Sequence, residues 1–293
     1  PTTVYDTYWR FAAKRQAIFF RRVRGESYPW TDDPVLTEFK FTNAYRASDR
    51  VSQYLIKHVV YSGDQSPREV FFRTILFKIF NRIETWELLR QEFGELSYSE
   101  WSFERFDALL TKAMTQGKRI YSAAYIMPTG KNPLDQGRKH RMHLRLIGKM
   151  MDDDLPTRLA DSKSMKEAFE MIRTYPTIGD FLAYQYIIDL NYGPLLNFDE
   201  MDFVMPGPGA LNGIKKCFAD FGGLSESDII REVTERQYEE FERVGLKFES
   251  LWGRPLQLID CQNLFCEVDK YSRVVHPDVS GVTNRTRIKQ KYR

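Results

Sequence analysis

Cysteine is scarce in this chain. Its 293 residues hold three, Cys217, Cys261 and Cys266, with no C-x-x-C pair. That pattern argues against a disulfide framework or a zinc ribbon and fits a reducing compartment. No apolar run approaches the roughly 20 residues that cross a bilayer, and no secretory leader is visible, so an intracellular protein without a membrane partner is expected. The chain opens on Pro1 rather than Met, which points to trimming at that end. Phosphate-handling motifs are missing too. There is no G-x-x-x-x-G-K-[ST] to cradle a nucleoside triphosphate, and no G-x-G-x-x-G opening a helix after a strand. No G-x-S-x-G turn presents a serine nucleophile. Excess charge is also lacking: 43 Lys and Arg against 40 Asp and Glu leave a formal +3. A field that small does not by itself demand a polyanion.

What is present is apolar and aromatic. Hydrophobic residues make up 42% and aromatics 14%, enough for a core and for stacking surfaces. Charge is local. Arg10, Lys14, Arg15, Arg21, Arg22 and Arg24 form one basic run, and Arg285, Arg287, Lys289, Lys291 and Arg293 form another, neither interrupted by an acid. Each run either neutralises phosphates or is a solvated helix face and a frayed tail.

Apolar residues recur at helical spacing through most of the chain. A stripe begins at Tyr5, Tyr8, Trp9 and Ala12. Ser66-Pro67-Arg68-Glu69 reads as a capping box ahead of Phe72, Ile75, Leu76, Ile79, Phe80 and Ile83. Helices are also predicted over Phe103 to Ala113, His140 to Met151, Ser162 to Arg173 and Ile178 to Leu190. A second capping signal, Ser225 with Asp228, opens one running to about Phe241. Lys131 to Gly137 reads as a loop. Strand signals are short, at Leu256 to Ile259 and Arg273 to His276. The expected class is mainly α: residues 1–293 as one helical domain, with the alternative of two lobes, and a basic tail at 283–293.

Chemistry-bearing residues concentrate between Tyr175 and Phe218. Tyr175-Pro-Thr-Ile-Gly-Asp forms a tight turn between two helices, and the amides of Thr177, Ile178 and Gly179 suit an anion. Asp199, Glu200 and Asp202 crowd three carboxylates together, an arrangement that raises the pKa of at least one member, as a general acid or base requires. The plain alternative is a solvated acidic cap. Gly207-Pro208-Gly209 turns the chain into a helix carrying Lys215 and Lys216, which suits phosphate or pyrophosphate or simply joins two helices. Asn43, Arg46 and Arg50 share helical spacing, with Asp49 as a salt-bridge partner for Arg46. Asp260, Gln262, Asn263, Glu267 and Lys270 form a second polar group. The amides of Gln262 and Asn263 suit the Watson–Crick edge of an extruded base, or helix capping. His140 and His143 stand three apart, but no third ligand has a persuasive spacing, so no metal site is expected there.

These segments resemble a known family. The turn at Thr177 to Asp180 resembles the helix–hairpin–helix element of base-excision DNA glycosylases, in which a catalytic aspartate follows at a distance that Asp202 or Asp199 would match. More specifically, residues 41–50, 78–87, 123–128, 202–210 and 262–267 resemble the α-glutamyl/putrescinyl-thymine pyrophosphorylases and the helical domain of 5-hydroxymethyl-deoxyuridine DNA kinases. The resemblance runs from about Tyr8 to Lys291. It implies a helix–hairpin–helix glycosylase-like fold serving thymine hypermodification, known from bacteriophage with relatives in fungi and bacteria. The partners implied are double-stranded DNA carrying a modified thymine, an amine or amino-acid co-substrate, and an upstream DNA kinase. Without a P-loop, the transferase role is favoured over the kinase role. In that role Asp202, Asp199 or Glu200 would take a proton from the amine. Gly207, Gly209, Lys215, Lys216, Arg46 and Arg50 would hold pyrophosphate, and Asn43, Gln262, Asn263 and Glu267 would hold the base. No cofactor is required, and assistance by Mg²⁺ is left open. The rival readings are a DNA glycosylase using the same aspartate and a non-catalytic DNA-binding partner of a kinase.

Overall fold

The computed structural model describes residues 1–123, 127, 137–283 and 285–292. The loop expected at Lys131 to Gly137 lies, except for Gly137, outside the described residues. Fourteen α-helices and no extended strand are found among the described residues, in agreement with the mainly α class. None of these helices is long and apolar enough to cross a membrane. The chain divides into two compact units: residues 1–49 with 203–293, and residues 50–202.

The first unit begins with α1 (Thr3–Val23), capped by the Thr2 hydroxyl accepting from the Val4 amide at 3.1 Å, and α2 (Pro34–Glu38), capped by Asp33. Ordinary N-cap chemistry sets both starts. The second unit runs through α3 (Arg50–Leu55), α4 (Pro67–Phe80), α5 (Ile83–Phe93), α6 (Phe103–Thr115), α7 (Lys139–Asp152), α8 (Leu155–Ala160), α9 (Met165–Arg173) and α10 (Asp180–Asn191). The chain then returns to the first unit as α11 (Pro208–Cys217), α12 (Glu226–Glu235), α13 (Gln237–Arg243) and α14 (Leu258–Val275).

In the second unit α4 is the centre. Every residue from Glu69 to Phe80 is buried, as expected of a helix that is apolar nearly all round. Its one buried amine, Lys78 Nζ, pairs with Asp189 of α10 at 3.1 Å. The capping box predicted at Ser66 is not made. Ser66 contributes no side-chain cap, and the Glu69 carboxylate instead accepts from the Tyr98 amide at 2.8 Å and the Ser99 amide at 3.3 Å. Burial explains the switch: Glu69 faces another segment's orphan amides rather than the solvent-side helix end. Arg73 satisfies other orphans. Its guanidinium donates to the carbonyls of Val59, Val60 and Asp64, closing the π-helical turn Ile56–Val60 that follows α3.

In the first unit α14 is the spine. Tyr8 of α1 packs on Phe265 with ring centroids 4.5 Å apart and donates to the Cys261 carbonyl. Helix α11 lies so close to α14 that a Cβ at Gly213 would collide with the Phe265 carbonyl, and one at Gly209 would collide with the Cys266 side chain. Two corrections follow. The strand signals at Leu256 to Ile259 and Arg273 to His276 fall mainly within α14, whose packing overrides local β-propensity. The C-terminal segment is docked rather than frayed. The Lys40 amide donates to the Gln290 carbonyl at 2.9 Å, the Tyr292 amide donates to the Glu38 carbonyl at 3.0 Å, and Ile288 is buried. The capping box at Ser225 and Asp228 is made as expected, although the helix behind it breaks into α12 and α13.

Candidate functional site

In the second unit the predicted hairpin is the turn between α9 and α10. The second helix starts at Asp180, two residues later than expected, with Gly179 as its cap. Gly179 has ordinary extended backbone, φ −86°, and open space where a Cβ would stand. The strained residue is Thr177, at φ +68°, a left-handed conformation rare for a β-branched side chain. Its hydroxyl is shielded from solvent with no hydrogen-bond partner among the described residues. Ile178 is buried and anchors the turn.

The acidic trio lies further along the same unit. Asp199 and Asp202 are exposed and Glu200 is half-buried. Asp199 accepts from the Met201 amide at 2.9 Å, holding its own turn. Asp202 accepts from the Met165 amide at 3.3 Å, serving the start of α9 rather than opening a helix of its own. Arg50, the first residue of α3, is exposed. His140 and His143 are buried and not on a basic surface face. His140 Nε2 lies 2.8 Å from Asp107 and His143 Nδ1 lies 2.7 Å from the Tyr121 hydroxyl. Burial holds His140 below the usual imidazole range. No metal-binding cluster is found among the described residues.

In the first unit the glycine turn has a packing reason. Gly209 lets α11 approach α14, and Gly207 caps α11 at φ −82°, which any residue adopts. The two lysines part company. Lys215 is exposed, whereas Lys216 is 3% exposed and pairs with Asp269 at 3.0 Å. Asp269 also takes Arg273, so Lys216 belongs to a buried charge network and is withdrawn from the pyrophosphate role.

The remaining candidates converge. The loop 41–49 wraps the buried Arg15 of α1, which donates to the Thr42 carbonyl at 2.9 Å, the Phe41 carbonyl at 3.2 Å and Asn43 Oδ1 at 3.1 Å. Two consecutive amides of this loop each hold a carboxylate. The Thr42 amide donates to Glu267 of α14 at 3.1 Å, and the Asn43 amide donates to Asp49 at 2.8 Å. Lys270 donates to Glu267 at 2.7 Å and lies 4.4 Å from the centre of the Phe41 ring. The buried Arg46 sits in a short 3₁₀ turn whose amide donates to Asp260 at 2.7 Å. Gln262 is buried and Asn263 half-buried on the same helix.

Asp49 keeps some surface, but its carboxyl is packed round by protein atoms. Burial raises its pKa, and the Asn43 amide opposes that. Glu267 raises it further while Arg15 and Arg46 pull it down, and the result is a carboxyl pushed up to about 7. A group near neutrality both accepts and returns a proton. In the sequence Asp49 reads only as a partner for Arg46, and Arg15 as one of a basic run that either neutralises phosphates or is a solvated helix face.

Residues 2–281 match the family described as 5-hmdU DNA kinase, helical domain. The chain belongs to that family. It is 32% identical over 289 residues to the 5-hmdU DNA kinase of Bacillus phage SP10, a match covering 92% of this chain and 45% of that protein. The chain therefore spans less than half the length of that relative. No solved structure matches. Within this helical family member, Asn43, Arg46, Asp260, Glu267 and the added Asp49 and Arg15 come together in the first unit. The hairpin and the Asp199–Asp202 trio belong to the second.

Proposed function

We propose that this chain is a DNA base-modification domain of thymine hypermodification. It acts on a 5-substituted uracil in DNA and replaces the pyrophosphate of 5-pyrophosphorylmethyl-deoxyuridine with an amine or amino acid. One observation carries the reading: Arg15, Arg46, Asp49, Glu267 and Lys270 meet around one loop in a chain of the 5-hmdU DNA kinase helical family. Arg15 and Arg46 are buried like Lys216, so these groups shape the loop, and the exposed Lys215 of the same unit is the cation that would meet a departing anion.

The target base must leave the stack to be reached, at a few kcal/mol. The α9–α10 turn, read as a helix–hairpin–helix element, would grip the backbone at Gly179, where the space a Cβ would fill is open, rather than at Ile178, whose amide donates to the Tyr175 carbonyl at 3.2 Å. Pyrophosphate leaves readily once its charge is neutralised, and the uracil ring stabilises an electron-poor methylene, so no covalent enzyme nucleophile is needed. The exposed Lys215 and Arg50 are cations that phosphate oxygens could reach. Mg²⁺ would supply further neutralisation if bound by the pyrophosphate itself.

A second reading has its own support. The relative is named a kinase and is more than twice as long as the matched segment. A non-catalytic domain that presents 5-hydroxymethyluracil DNA to a kinase would fit that arrangement. Nucleoside mass spectrometry separates the readings, after incubation with DNA bearing 5-pyrophosphorylmethyl-deoxyuridine and mixed amines. Transfer gives a heavier nucleoside still attached to DNA. A glycosylase gives free base and an abasic site. Tight DNA binding with no product from any amine supports the second reading.

A further inference from the structure

The basic run near the start of the chain divides by burial. Arg15 faces inward and holds the loop 41–49. Exposed along one face of α1 and its C-cap are Arg10, Lys14, Ala17, Arg21 and Arg24. Spacings of four, three, four and three keep them on a single stripe. The stripe holds no acid. It runs about 21 Å at about 1.5 Å per residue, roughly the rise of six base pairs. Carboxylates from other segments meet part of it: Asp33 at Lys14, Glu26 at Arg21 and Glu249 at Arg24, at 2.8, 3.8 and 2.5 Å. The Arg21 and Arg24 pairs are half exposed on both sides, so they yield to phosphate at little cost.

We propose that this stripe is a phosphate track for DNA, and that Trp252 at its end stacks on a base of the same DNA. The inference rests on the reading that DNA is the substrate. Trp252 is 77% exposed, the most of any large apolar side chain among the described residues. Its own turn holds it there. The Arg254 amide donates to the Leu251 carbonyl at 3.1 Å, and the Gly253 amide donates to the Ser250 hydroxyl at 3.1 Å. Trp252 has φ +50° and Gly253 φ +90°. A left-handed tryptophan is strained, and such strain collects at binding sites. The turn meets the end of the stripe. The Trp252 ring packs edge-on against Phe20 with centroids 6.1 Å apart, and the Arg24 guanidinium lies 5.3 Å from the Phe20 ring. At the same helix end Arg21 donates to the Trp30 carbonyl, Arg22 lies 5.2 Å from the Trp30 ring, and the exposed Tyr28 packs on Trp30. Guanidinium groups interleaved with rings suit a nucleic acid, whose phosphates take the cations and whose bases take the rings. Ser250 and Pro255, flanking the turn, also wall a recess of about 520 Å³ with Tyr238, Phe241 and Phe248, room for a single base. A flat lipid surface has no use for such a recess.

The experiment measures binding of the full chain to a fluorescein-labelled duplex bearing 5-hydroxymethyluracil, by anisotropy across a salt series. The Arg10→Gln/Arg21→Gln double variant should lower the slope of log affinity against log salt by about 2, since each phosphate contact contributes about 0.9. Should the double variant fail to fold by circular dichroism, Arg10→Gln alone should give about half that change. Lys112→Gln removes an exposed charge from α6 and should leave the slope unchanged. Trp252→Ala should weaken binding about 10-fold or more at constant slope, and Trp252→Phe should restore most of it. A folded α1 variant with the wild-type slope, or Trp252→Ala with the wild-type affinity, overturns the inference. So does wild-type protein that binds phosphatidylcholine–phosphatidylserine vesicles through these residues and DNA without them. DNA binding that depends on both sites, with no amine transfer, overturns the group-transfer reading and leaves this surface standing. Failure of the wild type to bind DNA at all overturns both.

Discussion

Replacing Asp49 by Asn should stabilise this protein at alkaline pH, although the residue lies at the centre of a hydrogen-bond network. The folded pKa of about 7 lies above the unfolded value of 3.8. The folded state therefore binds this proton more tightly than the unfolded chain does. The associated stability is fully present below the unfolded pKa and is lost as pH rises through the folded one. A gap of about three units at 1.36 kcal/mol each sets a ceiling of about 4 kcal/mol for the penalty of ionising Asp49 in place. Asparagine keeps the acceptor for the Asn43 amide and removes the ionisation. Between about pH 5 and about pH 8 the wild type should lose roughly 2.5 kcal/mol that the variant does not. The assay is urea unfolding of both proteins at about pH 5 and about pH 8, with the first unit's tryptophans as reporters. The variant's advantage should be smaller at the lower pH and grow by roughly 2.5 kcal/mol at the higher. Parallel stability profiles would refute the reasoning, since they would mean that Asp49 ionises in the fold as easily as in the unfolded chain.

Other perturbations test the frame around the site. Gly213→Ala places a methyl against the Phe265 carbonyl, which cannot move without separating α11 from α14, and should cost about 3 kcal/mol in a chemical denaturation curve. Lys78→Met strands the buried Asp189 carboxylate and should cost about 3–5 kcal/mol, most of it recovered when Asp189→Leu is added. Thr177→Gly relieves a left-handed backbone and should raise stability by about 0.5–1 kcal/mol in thermal unfolding, whereas Gly179→Ala should change it far less.

The helices were legible because apolar spacing alone specifies a buried face. The α4 stripe stands where the pattern put it from Phe72 to Phe80, although Ile83, read as its last member, opens α5 beyond the left-handed Asn81, and the Ser225 capping box is made. Caps were less secure, because a carboxylate three residues from a serine can serve either that serine or a distant loop, and Glu69 serves Tyr98 and Ser99. Lys215 and Lys216 show a similar limit. Adjacent residues on a helix point about 100° apart, so one faces solvent and the other Asp269, and no local signal says which. The candidate site was legible as two polar segments but not as one place, because Thr42 and Glu267 meet across 225 residues of chain. One signal was available for Arg15. It is a charged residue within an apolar helix stripe, which more often marks a buried network than a phosphate contact.

The most direct test of the group-transfer account is the fate of the bridging oxygen. DNA carrying 5-pyrophosphorylmethyl-deoxyuridine with ¹⁸O between the methylene carbon and phosphorus is incubated with the protein and an amine, and both products are weighed by mass spectrometry. The account predicts that the label leaves entirely with pyrophosphate while the nucleoside gains the amine, since the carbon–oxygen bond is the one that breaks. Label retained on a 5-hydroxymethyl base, or a free base released from an abasic site, would contradict it.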